Sequence, residues 1–554
     1  MNFKSKILAL SVFFLVSCSK SYIYKTESVT SITVVKPKSS KLTIEQVNVW
    51  QHKDIINDSI PGISLDKAYS KLLENKKCDT TIIAVIDTRI DINHEDFKKF
   101  IWVNKNEVPN NGIDDDRNGY VDDVNGWNFL ADKKGNNIIE LNYSFVRYIR
   151  KFDKQFKDKS SNQIKQNDLT NYKLYQKAVN KLKDELFIVN DNISYIDSLL
   201  NDELSVVARL KSKMPNIDLD SLDLSQIKDS MVSDDIKKYK YYLKAGKLLK
   251  NRKENEVRKK EFHLNVHYNE NEAFGDDISN IKDLQYGNND VSGDTNIFYH
   301  STQVTGVIVA DRNNNKGIKG ITNSAKIMPV CVSPVGDERD KDIALGIRYA
   351  VDNGASIINI TFTKSFPIDN NLVISALKYA AKNDVLIVSS SGNDSMNLDI
   401  DNSYPNDSGE DKVEFIDNFI KVGAIWFKIN EDFVPEFSNY GKREVDIFAP
   451  GKYIYTTHPN NNYKHVDGTS FSAPIVTGIA ALIRSYYPNL TAAEVKQIIM
   501  ESGVSYNIMV NKPSTSEEKE LVSFSSLSKS GKIVNAYNAL LMAEEISKKK
   551  KKNK

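Results

Sequence analysis

Cysteine is almost missing from this chain: three in 554 residues, which excludes a disulfide-stapled scaffold. An excess of one charge is missing too. Lys and Arg number 75 against 73 Asp and Glu, leaving +2 overall, so a strongly basic nucleic-acid binder is excluded. No apolar run approaches the ~18 residues of a membrane span. Glycine and proline are nearly absent from one long stretch, residues 131–285. What is present is 40% hydrophobic and 10% aromatic residues. That is enough to bury a core, and it excludes a wholly disordered chain. At roughly 150 residues per domain the length predicts three or four units, unless one large α/β core takes most of it.

The two ends differ from the body. Lys4 and Lys6 precede an apolar run from Ile7 to Val16, which closes on Leu15-Val16-Ser17-Cys18. A basic start, a short apolar stretch and a small residue before the break predict a secretory signal over residues 1–17. The Leu-Val-Ser-Cys ending resembles a bacterial lipobox, which implies lipidation of Cys18; the alternative is ordinary cleavage with Cys18 incidental. The expected location is exported and lipid-anchored to a bacterial membrane, on a periplasmic or cell-surface face. Residues 18–45 are rich in Ser, Thr and Lys and read as a tether. At the other end, residues 547–554 form a basic tail expected to be solvated and disordered. With these ends set aside, the body is mildly acidic.

Thr81-Ile82-Ile83-Ala84-Val85-Ile86-Asp87 is a continuous β-branched run ending on a carboxylate, as a strand buried on both faces requires. Similar runs occur at Lys326 to Val332, Ser356 to Thr361 and Val385 to Ser389, with helix-like segments between them. The expected fold is α/β, a doubly wound parallel sheet whose sites lie beyond the carboxyl ends of its strands. Residues 46–130 and 286–546 supply this body. Residues 131–285 form a helical or coiled-coil insertion. Within it Tyr172, Tyr175, Val179, Leu182, Leu186, Val189, Ile193 and Ile196 step alternately by three and four, a heptad seam. A second helical stretch from about Gln226 to Lys260 is expected to fold back as a hairpin, with a dimerisation arm as the other possibility.

Three short segments carry chemistry. Ala84-Val85-Ile86-Asp87-Thr88 ends a strand in a carboxylate. His300-Ser301-Thr302-Gln303-Val304-Thr305-Gly306 places a histidine before an apolar run, and Gly468-Thr469-Ser470-Phe471-Ser472-Ala473-Pro474 opens a helix. Each alone has a structural explanation, such as a helix cap or a core histidine. Together, in the order Asp, His, Ser, they resemble the subtilisin-like serine peptidases. Ser390-Ser391-Gly392-Asn393, Phe437 to Gly441 and Val445 to Gly451 extend that resemblance. It implies a serine endopeptidase acting on proteins or peptides, with Ser470 as nucleophile, His300 as base and Asp87 as its orienter. Asn393 is the implied oxyanion donor. The strand Thr361-Phe362-Thr363 is the implied substrate-binding segment. No cofactor is required for such catalysis, and the oligomeric state is open.

The departures from the family pattern are Arg89 and Ser301, each where glycine is usual, and Gln303 where a second histidine is common. Asn359 to Lys364 lacks both glycines usual there, which puts side chains where peptide backbone approaches. That motivates a second expectation: a weak or inactive lipoprotein that binds peptides or assembles through its insertion. The short segment before Asp87 leads one to expect no separately folding inhibitory propeptide.

Asn111 to Asp123 sets oxygen donors at alternate positions around a glycine turn. This spacing suits Ca²⁺, with Asp114, Asp116, Asn118, Asp122 and the Tyr120 carbonyl as candidate ligands and a structural role; the alternative is a solvated acidic turn. The resemblance implies that Cys78 and Cys331 lie at opposite ends of adjacent parallel strands. Two free, buried thiols are therefore expected.

Overall fold

A nine-stranded sheet organises the chain, which is described by a computed structural model over residues 41–214, 233–409 and 411–552. The signal, Cys18, Pro215, the start of the second helical stretch before Ser233 and the last two residues lie outside these. The strands are β1 Thr81–Asp87, β2 Trp127–Asn128, β3 Ala325–Cys331, β4 Ile357–Ile360, β5 Leu386–Ser390, β6 Phe419–Ile425 and β7 Ile447–Pro450. Their spatial order is β7-β6-β5-β4-β1-β3-β2, all parallel. Two short strands, Val504–Ser505 and Lys532–Ile533, complete the β7 edge and pair antiparallel to each other.

The β-branched runs make these strands because successive side chains must be buried on opposite faces. Ile83 and Val85 of β1 enter one hydrophobic cluster, with Val476, Ile479 and Ile483. Ala84 and Ile86 enter the other, with Ile343, Ile347 and Leu377. The sheet is thus covered on both sides, the doubly wound arrangement.

The helices used below are α1 Ser144–Phe156, α2 Leu169–Lys213, α3 Ser233–Arg258, α4 His300–Val309, α5 Asp340–Asp352, α6 Asn370–Lys382, α7 Thr469–Tyr486, α8 Ala492–Ser502 and α9 Ala536–Lys552. Helix α8 starts on a capping box in which Thr491 Oγ1 accepts the Glu494 N–H. In the insertion α2 and α3 lie antiparallel, since Lys253 pairs with Asp197, Lys238 with Asp202 and Arg209 with Asp235. Their seam buries Ile196, Val206 and Leu210 against Ile236, Tyr239 and Tyr242.

The insertion is bolted to the body by buried charges. Arg147 of α1 bonds Glu270 at 2.5 Å and the Glu338 carbonyl at 2.8 Å. Arg339 grips both oxygens of Asp276, at 3.0 and 2.8 Å, and Lys341 adds a third bond at 2.7 Å. All three of these side chains are fully buried.

Two expectations are corrected. Cys331 is buried, but Cys78 is exposed, because it sits in the turn before β1 rather than inside the sheet. Both thiols are free. The lysines through Lys552 continue α9 instead of forming a disordered tail. Cations at a helix carboxyl end are favoured by the backbone dipole, and Lys550 also bonds Glu494 at 2.7 Å and the Asn489 carbonyl at 2.9 Å. No described helix is long and apolar enough to cross a membrane.

Candidate active site

Register brings the carboxyl ends of three neighbouring strands level. Ile86 of β1 pairs with Ile360 of β4, and Ile360 with Ser389 of β5. Asp87, Thr361 and the turn Ser391-Gly392-Asn393 therefore meet at one edge, where an open α/β sheet forms its crevice. The amino ends of α4 and α7 add His300 and Ser470.

Asp87 is buried, and both its oxygens lie 2.9 Å from His300 Nδ1. A carboxylate only accepts, so Nδ1 carries the proton and Nε2 is left as the basic nitrogen. The Thr88 N–H donates to Asp87 Oδ1 at 2.6 Å, and the Thr361 hydroxyl donates to Oδ2. Burial pushes the Asp87 carboxyl up, but the charge of His300 and these hydrogen bonds outweigh it and hold the group below its ordinary value. Burial likewise pulls His300 down, while Asp87, and more weakly Glu338, lift it above 6.5. Glu338 is itself pushed up to about 7, first by burial and then by Asp337.

Ser470 is the second residue of α7, behind Gly468, whose φ of +144° a side chain would resist. The Ser470 hydroxyl donates to the Thr361 carbonyl at 3.0 Å, not to His300. Asn393 is exposed to the crevice. Its Oδ1 accepts from the Thr469 N–H at 2.9 Å and the Thr469 hydroxyl at 3.0 Å, which fixes the amide and leaves its NH₂ to donate elsewhere. A base held by a carboxylate, a hydroxyl at a helix amino end and an oriented amide donor are the parts that acyl transfer uses.

The predicted substrate segment divides. Thr361 turns its hydroxyl onto Asp87 and its carbonyl onto Ser470. Phe362 is half-buried against the cluster containing Ile360 and Leu377. Thr363 reaches the turn at Gly392. Lys364 does not obstruct the crevice: its side chain turns into the body, 2.6 Å from Asp340 and 2.8 Å from the Glu338 carbonyl. Gln303 bonds His458 Nδ1 at 3.0 Å, and Arg89 is buried 3.5 Å from Asp290. Neither the Thr361–Asp87 bond nor the Lys364–Asp340 pair was legible beforehand. The first joins residues 274 apart in the chain, and the second joins a loop residue to the start of α5, with no local spacing to betray either.

The acidic loop also rearranges the candidates. Glu107, Asp114 and Asp116 bring ligand oxygens within 4.8 Å of one another. Glu107 was not foreseen, since it lies outside the alternating run. Its Oε2 is buried and has no hydrogen-bond donor among the described residues, which suits a hard cation. Asp122 instead caps the loop, accepting from the N–H groups of Asn111 and Gly112, and Asn118 Oδ1 accepts the Tyr120 N–H.

Comparison with known proteins bears on this geometry. A family model described as "Subtilase family" matches residues 79–525. The cell wall-associated protease of Bacillus subtilis (strain 168) is 33% identical over 204 residues, covering 37% of this chain and 21% of that protein. Subtilisin DY of Bacillus licheniformis is 30% identical over 199 residues, 36% of this chain and 67% of that one. Among solved structures, "Proteases from Pseudoalteromonas arctica PAMC 21717" aligns at 26% identity with a TM-score of 0.36, over 44% of this chain and 70% of that chain. The chain thus spans between a fifth and two thirds of the length of these curated relatives. With a family match that runs through the carboxylate, the histidine and the serine, this chain belongs to the subtilase family.

Proposed function

We propose that this protein is a subtilisin-like serine endopeptidase that hydrolyses peptide bonds of proteins. The observation that carries the reading is the Asp87 carboxylate holding His300 Nδ1 at 2.9 Å, beside a serine at a helix amino end. In the reaction Ser470 Oγ leaves the Thr361 carbonyl, loses its proton to His300 Nε2 and attacks the substrate carbonyl. Asp87 stabilises the imidazolium. The Asn393 NH₂ and the Ser470 N–H receive the oxyanion, and His300 returns the proton to the leaving amine as the C–N bond breaks. Water, deprotonated by His300, then cleaves the Ser470 ester and frees the serine and the acid. The Thr361 carbonyl, once released, accepts the substrate N–H as a strand neighbour does. A fluorophosphonate probe tests this: labelling of Ser470 in folded protein is expected, and no labelling refutes it.

The second reading, a peptide-binding or assembly lipoprotein without turnover, is favoured by the Ser470 hydroxyl being bonded to Thr361 instead of His300. Under it Ser470→Ala leaves the phenotype intact while deletion of residues 179–210 abolishes it.

Two further features belong to the proposal. Cys18 carries the lipid that fixes the exported protein to a bacterial membrane; a fatty-acid label lost in Cys18→Ala tests this. Glu107, Asp114 and Asp116 would hold Ca²⁺, which would stiffen their loop and take no part in the chemistry. A lower melting temperature after chelation tests that.

A further inference from the structure

Two stretches of chain flank Ser470: the one after Thr361, and the turn at Gly392. They run side by side, since a Cβ on Gly392 would meet Thr363 Oγ1 at 2.9 Å. Between them and the insertion lies a cavity of about 190 Å³. Its body wall is Thr363, Lys364 and Asp394, all within three residues of Thr361 or Asn393. Its opposite wall belongs to the insertion: Lys181 and Glu185 from α2, and Lys259 just beyond α3.

The charges around this cavity sort by partner. Lys259 is paired with Glu185 at 2.7 Å, and Lys364 with Asp340 at 2.6 Å, so both cancel. Asp337 and Asp394 have no ion-pair partner among the described residues; the Asp337 carboxylate accepts the Ser144 N–H at 2.7 Å, and its carbonyl accepts from Arg147 Nη2 at 2.6 Å. Lys181 has no carboxylate partner either and stands over the Phe145 ring at 5.7 Å. Two carboxylates without an ion-pair partner therefore line the recess with one such ammonium. Between them Tyr143 and Phe145 stack at 5.5 Å and offer an aromatic floor.

We propose that this recess receives the substrate side chain beside the scissile bond, and that the helical insertion sets its preference, favouring lysine or arginine. The inference rests on the serine peptidase reading. A long basic side chain satisfies both halves of the recess. Its alkyl stem lies along the edge of the aromatic floor, and its cation meets the surplus carboxylate. An acidic side chain meets like charge, and a short one leaves the floor uncovered.

The test uses the full chain and a fluorogenic peptide series varied only at the residue before the cleaved bond. Active sites are counted with a fluorophosphonate. Lysine and arginine peptides are expected to lead. Lys181→Glu, an exposed change on the insertion, should widen their kcat/KM advantage over glutamate peptides by roughly fivefold, and Asp394→Asn should narrow it by about as much. Full fluorophosphonate labelling with a preference indifferent to charge, or unmoved by Lys181→Glu, overturns the inference and leaves the peptidase reading standing. Absence of labelling overturns the reading itself, and the inference with it.

Discussion

In the sheet body, α7 buries sixteen of its eighteen residues. In the insertion, α2 buries seven of 45. The first helix lies under a sheet and is touched on every side, so almost any change there disturbs packing that sets Ser470. The second has one buried stripe and otherwise meets water, with Lys253–Asp197 and Lys238–Asp202 along its flanks. Exposed pairs of that kind contribute little. The body's residues are therefore constrained several times over, while the insertion is constrained along its seam and at its anchor.

The contrast yields experiments in order of expected size. Ser470→Ala should lower kcat by about 10⁶-fold while leaving the melting temperature unchanged, checked by hydrolysis and calorimetry; a large loss of stability would place Ser470 among the packing residues instead. Arg339→Ala removes the partner of fully buried Asp276, and should destabilise the protein by about 3–5 kcal/mol in denaturant titration. Asn393→Ala should cost roughly 10²–10³-fold in kcat, or about 3–4 kcal/mol, with little change in KM.

Leu210→Ala at the far seam should cost about 2–3 kcal/mol, confined to the insertion as faster hydrogen exchange in α2 and α3, with hydrolysis unaffected. If hydrolysis falls too, loosening of the far seam is transmitted through the anchor to the crevice. The smallest effect is on pH. His300 accepts a proton only when neutral, and its value is raised above 6.5, so kcat/KM should rise through a midpoint above 6.5. The same shift runs the other way for stability. The raised His300 value contributes fully below pH 6.5 and is lost as pH rises through the folded value, whereas the lowered Asp87 value contributes above its ordinary 3.8 and is lost as pH falls toward acid. A kinetic midpoint at or below 6.5 would mean that Asp87 does not govern His300.

What was legible follows from the same contrast. The strand Thr81–Asp87 could be read to the residue because burial on both faces demands an unbroken β-branched run. The helices of the insertion were legible from their periodicity, and their boundaries were not, because a half-exposed helix ends where caps decide. Asp87, His300, Ser470 and Asn393 stood out because each sits in a short motif at the end of an element. Glu107, Lys364 and the insertion's share of the cavity did not. Their places are set by the groups that the folded chain brings beside them, and a lone glutamate or lysine carries no local mark of that. The lysine run was not legible as helix because what holds it, Glu494 beside Lys550, lies outside the run.

The connection between Tyr143 and His263 has a consequence for how the protein assembles. Asp87 and His300 are 213 residues apart, and β1 waits for neighbours that are made after that whole stretch. Asn142 Nδ2 bonds the Phe262 carbonyl at 2.6 Å, so the insertion ties off 120 of those residues at its own base. Once the hairpin has formed, the tether joining the two halves is less than half as long. The equilibrium saving is only ~0.7 kcal/mol. Its larger effect is on timing: a hairpin of local contacts folds early, and hands the slow, long-range sheet a shorter search.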